Sequence, residues 1–178
     1  IEPRSNYLAG RVIQDVLRNS HVGVLGTALH RGRGDDAYSG GIDWKLNTDK
    51  NDYEFVGQVV ASRAQSHGGW GADIEVGKRT GLWRAEASLQ AFSPDLALND
   101  MGFLRRADIV ESTLELEFRN EDPWRTFRTN SLWVDGSRRW NFDDVTLENT
   151  VSAGFWNKLL NYWSFGAGAT HHYRARDD

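Results

Sequence analysis

The stretch GWGADIEVGKRTGLWRAEASLQAF, residues 69–92, decides the fold. Taken every second residue, it yields Trp70, Ala72, Ile74 and Val76, then Trp83, Ala85, Ala87, Leu89 and Ala91. The positions between them hold Asp73 and Glu75, then Arg84, Glu86, Ser88 and Gln90. Side chains alternate across a strand, so this is a hairpin with one apolar and one charged face, turning near Thr80. What wets each face then decides the class of protein.

Working outward, alternating segments recur at 6–17, 21–30, 37–46, 53–64, 70–78, 82–92, 108–118, 124–134, 145–155 and 162–173. No helix-period segment competes with them. Their length suits the about 9 to 11 residues of a tilted strand crossing a bilayer, and exceeds the about 5 to 6 of ordinary globular strands. Links around Arg18, Thr48, Thr80, Glu121 and Asn157 are short, whereas 31–36, 93–107 and 135–144 are longer, with QSHGG at 65–69 as the exception. A meander puts these two kinds of link on opposite rims, as outer-membrane barrels do. Trp44, Trp83, Trp124, Phe155 and Trp163 fall toward the short-turn rim, and Tyr38, Trp70, Trp133 and Tyr173 toward the other, giving two aromatic girdles. Four features cut against the pattern. Gln14 and Asn149 interrupt apolar series, 53–64 is apolar on both faces, and 124–134 has a clear apolar face in neither register. A soluble barrel or sandwich therefore stays open.

Composition narrows the classes. Eighteen Gly and eight Trp argue for strands and turns over a helical bundle. A net charge of −4 gives no reason to expect a nucleic-acid partner, and the absence of Cys excludes disulfides and thiolate metal sites. No apolar run approaches the roughly 18 residues of a membrane helix, which leaves a transmembrane barrel untouched. The abrupt start at IEPRSNY and end at HHYRARDD look like the borders of a segment excised from a longer chain.

Residues 99–108, NDMGFLRRAD, follow LQAFSPDLAL and precede a long alternating strand. Upstream stand NYLAGRVIQDVLRNSHVGVLGTALHR at 6–31 and YSGGIDWKLN at 38–47; downstream stand NSLWVDGSRRWNFD and ENTVSAGFWNKLLNYW. Together these resemble an uncharacterised bacterial family in which a predicted outer-membrane barrel follows a family 9 carbohydrate-binding-like module. The resemblance implies architecture and location; any carbohydrate handling it implies belongs to a module absent from this segment.

Candidate chemistry is sparse. In the loop, Asn99, Asp100, Gly102, Phe103, Arg105, Arg106 and Asp108 read first as structural: Gly102 for a positive-φ turn, Phe103 as an anchor, the Arg and Asp residues as pairs across the base. Ligand recognition at a barrel mouth is the other reading. His171 and His172 point to opposite faces of a strand and cannot share a metal. Asp35 with Asp36 and Asp143 with Asp144 read as turn acids rather than a glycosidase pair, and no G-x-S-x-G elbow occurs.

The expectation is an all-β, antiparallel up-and-down meander, a single segment over 1–178 that forms a transmembrane β-barrel or about ten strands of a larger one. Asp73, Glu75, Arg84, Glu86 and Gln90 would face the lumen, joined by Glu115, Glu117, Glu148 and Arg174; Trp70, Ile74, Val76, Trp83, Leu89 and Trp163 would face lipid or form girdles. The expected partner is the lipid bilayer of a bacterial outer membrane, with carbohydrate reached through the missing module and no cofactor, metal or nucleic acid. The role would be to anchor that module and pass solute. A soluble carbohydrate-binding sandwich, with Trp140, Trp156 or Trp163 stacking on sugar, and a glycoside hydrolase using Glu75 and Glu86 are the alternatives.

Overall fold

A computed structural model describes residues 5–32, 36–64, 66–99 and 104–173. The described residues form ten strands and no helix: β1 (Ser5–Leu17), β2 (Ser20–Arg31), β3 (Ala37–Asn47), β4 (Tyr53–Ala64), β5 (His67–Lys78), β6 (Trp83–Phe92), β7 (Ile109–Asn120), β8 (Phe127–Trp140), β9 (Thr146–Leu159) and β10 (Ser164–Tyr173). They make one antiparallel sheet in chain order, so each strand pairs only with its sequence neighbours. The sheet is not closed, and β1 and β10 are edges exposed along their whole length. Each of the five turns on one rim contains a residue in the left-handed region: Asn19, Asn51, Gly81, Arg125 and Tyr162.

The opening hairpin pairs in the register its alternation demands. Ala72, Ile74 and Val76 lie opposite Ala91, Leu89 and Ala87, while Asp73 lies opposite Gln90 and Gly77 opposite Glu86. This parity carries across the sheet, because register shifts occur only near strand ends, at Asp15/Leu17, Phe127/Thr129 and Arg139/Trp140. Every Asp and Glu within the ten strands consequently falls on one face. The other face carries Leu8 (69% exposed), Val12, Ile42, Val76, Leu114 and Leu132, with no protein layer over them. Among the described residues the buried apolar side chains are Leu29, Ala37, Ala91 and Leu96.

Directly opposed residues also trace an inclined line. Gln14, Val22, Trp44, Gly57, Ile74, Leu89, Ser112, Arg138, Asn149 and Tyr173 are consecutive partners. The line starts near the short-turn end of β1 and finishes at the opposite end of β10. Strands are thus staggered in one sense, the shear that a tilted barrel wall requires.

Three expectations need correction. The eighth strand is Phe127–Trp140, not 124–134, and its apolar set is Leu132, Val134, Gly136 and Trp140, broken by Arg138. Trp133 is therefore no rim aromatic; it lies mid-strand on the polar face, its ring over Gly154. Most of QSHGG belongs to β5, leaving only residues 65–66 as link, and 141–145 is likewise short, so 93–108 is the single long connection. The two-faced apolarity of β4 also resolves: Phe55 and Val59 share the apolar face, while Val56 and Val60 lie on the carboxylate-bearing face, Val56 opposite Lys45 and Glu75 and Val60 opposite Gly41 and Gly71.

A Cβ added at Gly154 would stand 2.5 Å from Trp133 Cζ2 and 2.9 Å from the Ala167 carbonyl oxygen. Gly154→Val should therefore cost about 1 to 3 kcal/mol through overpacking, read as a lower urea midpoint, while Gly10→Ala, with no atom within 4 Å, leaves the midpoint nearly unchanged.

Candidate functional site

The polar face is the candidate site. Across β4 to β8 the opposed residues Glu54, Gly77, Glu86, Glu115 and Asp135 put four carboxylates in one row, an arrangement that like-charge repulsion disfavours. Arg79, in the turn between β5 and β6, folds back over Gly77 into this row. Its guanidinium bonds Glu75, Glu86 at 2.5 Å and Glu54 at 2.9 Å, and Lys45 adds a second cation to Glu54 at 2.7 Å. Burial pulls the Arg79 pKa down, but the hydrogen bonds to Glu86, Glu75 and Glu54 outweigh it and hold the group above its ordinary value.

Further pairs extend the network. Arg11 grips Asp43 at 2.5 and 2.9 Å, and Arg139 joins Glu111 and Glu148, both at 2.8 Å. Arg84 reaches down to Glu121 at 3.0 Å rather than across to Glu117, its register partner. Gln90 donates to Asp73 at 3.3 Å, and Ser137 and Thr150 share a 2.6 Å bond. Asp73, Glu75, Arg84, Glu86 and Gln90 thus share one face, with Glu115, Glu117 and Glu148; Arg174 lies outside the described residues.

The long connection bends over this same face. Trp70 N–H donates to Ser93 Oγ at 2.8 Å, Ala97 N–H donates to Ser62 Oγ at 2.9 Å, and Leu96 is 4% exposed. Leu96 lies against Gly69, where a Cβ would collide with its backbone, and against Gly71. Leu98 then roofs a cavity of about 250 Å³ walled by Arg11, Leu25, Thr27, Asp43 and Val60. Further along, Asn99 Oδ1 accepts from Leu104 N–H at 2.6 Å, and Asp108, in the left-handed region, accepts from Phe142 N–H at 3.0 Å. Asp108 thereby ties this connection to the β8–β9 link. Arg105 and Arg106 stand on its outer part; Asp100, Gly102 and Phe103 lie outside the described residues.

On the opposite face stand Trp70, Ile74, Val76, Trp83 and Leu89, while Trp163, 75% exposed, sits in the β9–β10 turn. Trp83 meets Phe118 edge to face at 5.3 Å. His171 and His172 do diverge: His171 packs on Tyr173 across the apolar face, and His172 comes within 3.6 Å of Glu148. Asp36 serves its own loop, its pKa lowered by the hydrogen bond from His30 and the Arg31 N–H; Asp35 is outside the described residues. The three sugar-stacking candidates do not share a platform. Trp140 is on the apolar face, Trp156 on the polar face, and Trp163 in a turn at the other end. Glu75 and Glu86 are both bonded by Arg79.

A family model described as a domain of unknown function, DUF5916, matches residues 1–178. The chain belongs to the DUF5916 family. Comparison of this DUF5916 chain with curated proteins and with solved structures gives no match in either. Sequence reading found its polar face through period-two spacing but missed Arg79, because nothing local in KRTG tells whether a turn arginine points outward or back over a glycine. Arg11 and Asp43 hold polar positions of strands expected from alternation, whereas Glu54 lay on a strand apolar on both faces and Arg139 in an expected link, so neither of these two was legible.

Arg79→Met leaves Glu54, Glu75 and Glu86 facing one another. The variant should lose about 1 to 3 kcal/mol, seen in urea unfolding, and added salt should recover part of that loss by screening; a salt-independent loss would assign Arg79 a packing role instead.

Proposed function

We propose that this chain is a wall segment of an outer-membrane β-barrel, its apolar face against lipid and its ion-paired face lining the interior. One observation carries the reading: every strand carboxylate shares one face while the other leaves large apolar side chains without a protein cover. Nine strand spacings of about 4.8 Å and eight residues of about 3.3 Å make that face on the order of 1,000 Å², well above the few hundred Å² that soluble monomers expose. The stagger of the strands supports the same reading. Hydrocarbon cannot satisfy unpaired backbone groups, so the β1 and β10 edges are met in the membrane by further strands that close the barrel.

Its task is to anchor the carbohydrate-binding module that the family resemblance implies. Solute passage is a second reading, favoured by the cavity beneath Leu98; in it, the connection at 93–99 narrows the interior rather than sealing it.

The test is fractionation of the full-length protein. It should sediment with outer membrane and change gel mobility on boiling, and recovery in the aqueous phase without detergent would end the proposal. Ile74 stands midway along β5, so Ile74→Arg should impair assembly by about 2 to 4 kcal/mol if it meets the bilayer centre. Normal insertion of that variant would reverse the assignment of faces.

A further inference from the structure

The tryptophans of the two faces differ in what their rings touch. Trp44, Trp70, Trp83 and Trp140 stand on the apolar face, and each ring has a partner: Phe55 at 5.4 Å, Phe142 at 6.0 Å, Phe118 at 5.3 Å and the Arg138 guanidinium at 5.2 Å. Trp133 and Trp156 stand on the polar face, on adjacent strands and in successive rows. Among the described residues neither of these two indoles meets another ring or a cation, and neither N–H donates a hydrogen bond. Both lie along the wall. Trp133 Cζ2 is 2.5 Å from where a Cβ would stand at Gly154 and 3.5 Å from the same point at Gly168, so the indole crosses β9 and reaches β10. Trp156 Cε3 is 2.5 Å from that point at Gly166. Between Ser164 and Thr170 no polar-face side chain of β10 is larger than threonine, so that strand leaves the rings uncovered, and Trp156 is 55% exposed.

We infer that Trp133 and Trp156 form a stacking platform that carries neutral oligosaccharides along the interior. A pyranose pairs a flat C–H face with hydroxyls around its edge, and the electron-rich face of an indole takes the flat side. Charge at the two ends of the platform selects a neutral ligand. Asp135 stands two residues beyond Trp133 toward the long-connection rim, and Glu117 lies directly opposite Trp133. Neither carboxylate forms an ion pair or a side-chain hydrogen bond among the described residues. Lys158 stands two residues beyond Trp156 toward the short-turn rim, its ammonium 5.4 Å from the Tyr162 ring centroid and in no ion pair among the described residues. A cation is drawn to one end and repelled at the other, and an anion the reverse. Hydroxyls suit both, donating to the carboxylates and accepting from the ammonium. The two rows are two residues, about 7 Å, apart along the strands, so one short chain of sugar rings reaches both indoles.

The inference rests on the barrel reading in its solute-passage form, and the experiment separates all three. The full-length protein is reconstituted in a planar phosphatidylcholine bilayer, and its ion current is recorded with maltohexaose or cellohexaose in the bath. Only occupancy of the interior interrupts that current, so a sugar-binding module outside the wall does not contribute. At least one hexasaccharide should interrupt it in a saturable way, and polyethylene glycol or tetraglycine of similar length should not. Trp156→Ala should raise the half-blocking concentration about tenfold, as the loss of one aromatic stack allows. Trp156→Tyr, which keeps a ring, should retain most of the block, and Trp83→Ala, on the apolar face, should leave it unchanged. A current untouched by both sugars, interrupted equally by the two controls, or blocked as well in Trp156→Ala overturns the platform alone. Insertion without current overturns passage and platform together, and a protein that never inserts overturns the barrel with them.

Discussion

The unbroken antiparallel ladder is the constraint on which the rest depends. With a side-chain period of two, a single mid-sheet slip would exchange the faces of every strand beyond it. The bulges lie near strand ends, so one assignment of inside and outside holds from β1 to β10. Segregation of charge is then a property of the whole sheet rather than of one hairpin. Among the described residues neither face gains much from protein burial, the buried apolar side chains being Leu29 and Leu96 with two alanines. The sheet's preference for its surroundings is therefore set by what touches its two sides.

The polar side is organised around its own repulsion. Cross-strand neighbours Glu86, Glu115 and Asp135 repeat one sign, and the correcting cation arrives from a turn rather than a strand. From the β5–β6 turn Arg79 reaches both strands that the turn joins and the neighbouring β4 as well. The connection at 93–99 uses the same geometry from the other rim, docking through Ser62 and Ser93 hydroxyls on the wall formed by β4 and β5.

Much of this was legible in sequence, and the failures have definite causes. Alternation placed eight strands to within three residues at either end and found the pairing of 70–78 with 82–92, but it stopped the ninth strand at 155 and put Asn157 in a link, where β9 runs on to Leu159. It missed the span of β8 because Gly136 and Arg138 dilute the apolar set, while Trp133 offered a false rim. Gln14 and Asn149, taken one strand at a time, looked like defects; across the sheet they stand first and next to last on the inclined line of partners. That relation needs partners from neighbouring strands. The inward path of 93–99 depends on a missing side chain at Gly69, and period counting carries no information about empty space.

The nearest-neighbour order of the sheet bears on how it is made. Each strand meets only the one before and the one after, so growth proceeds by accretion of hairpins, each step closing a loop no longer than residues 93–108. The entropy of loop closure rises slowly with length and stays small at every addition. Such a chain can zip forward from any nucleated hairpin, and the growing margin is at each moment the adhesive one.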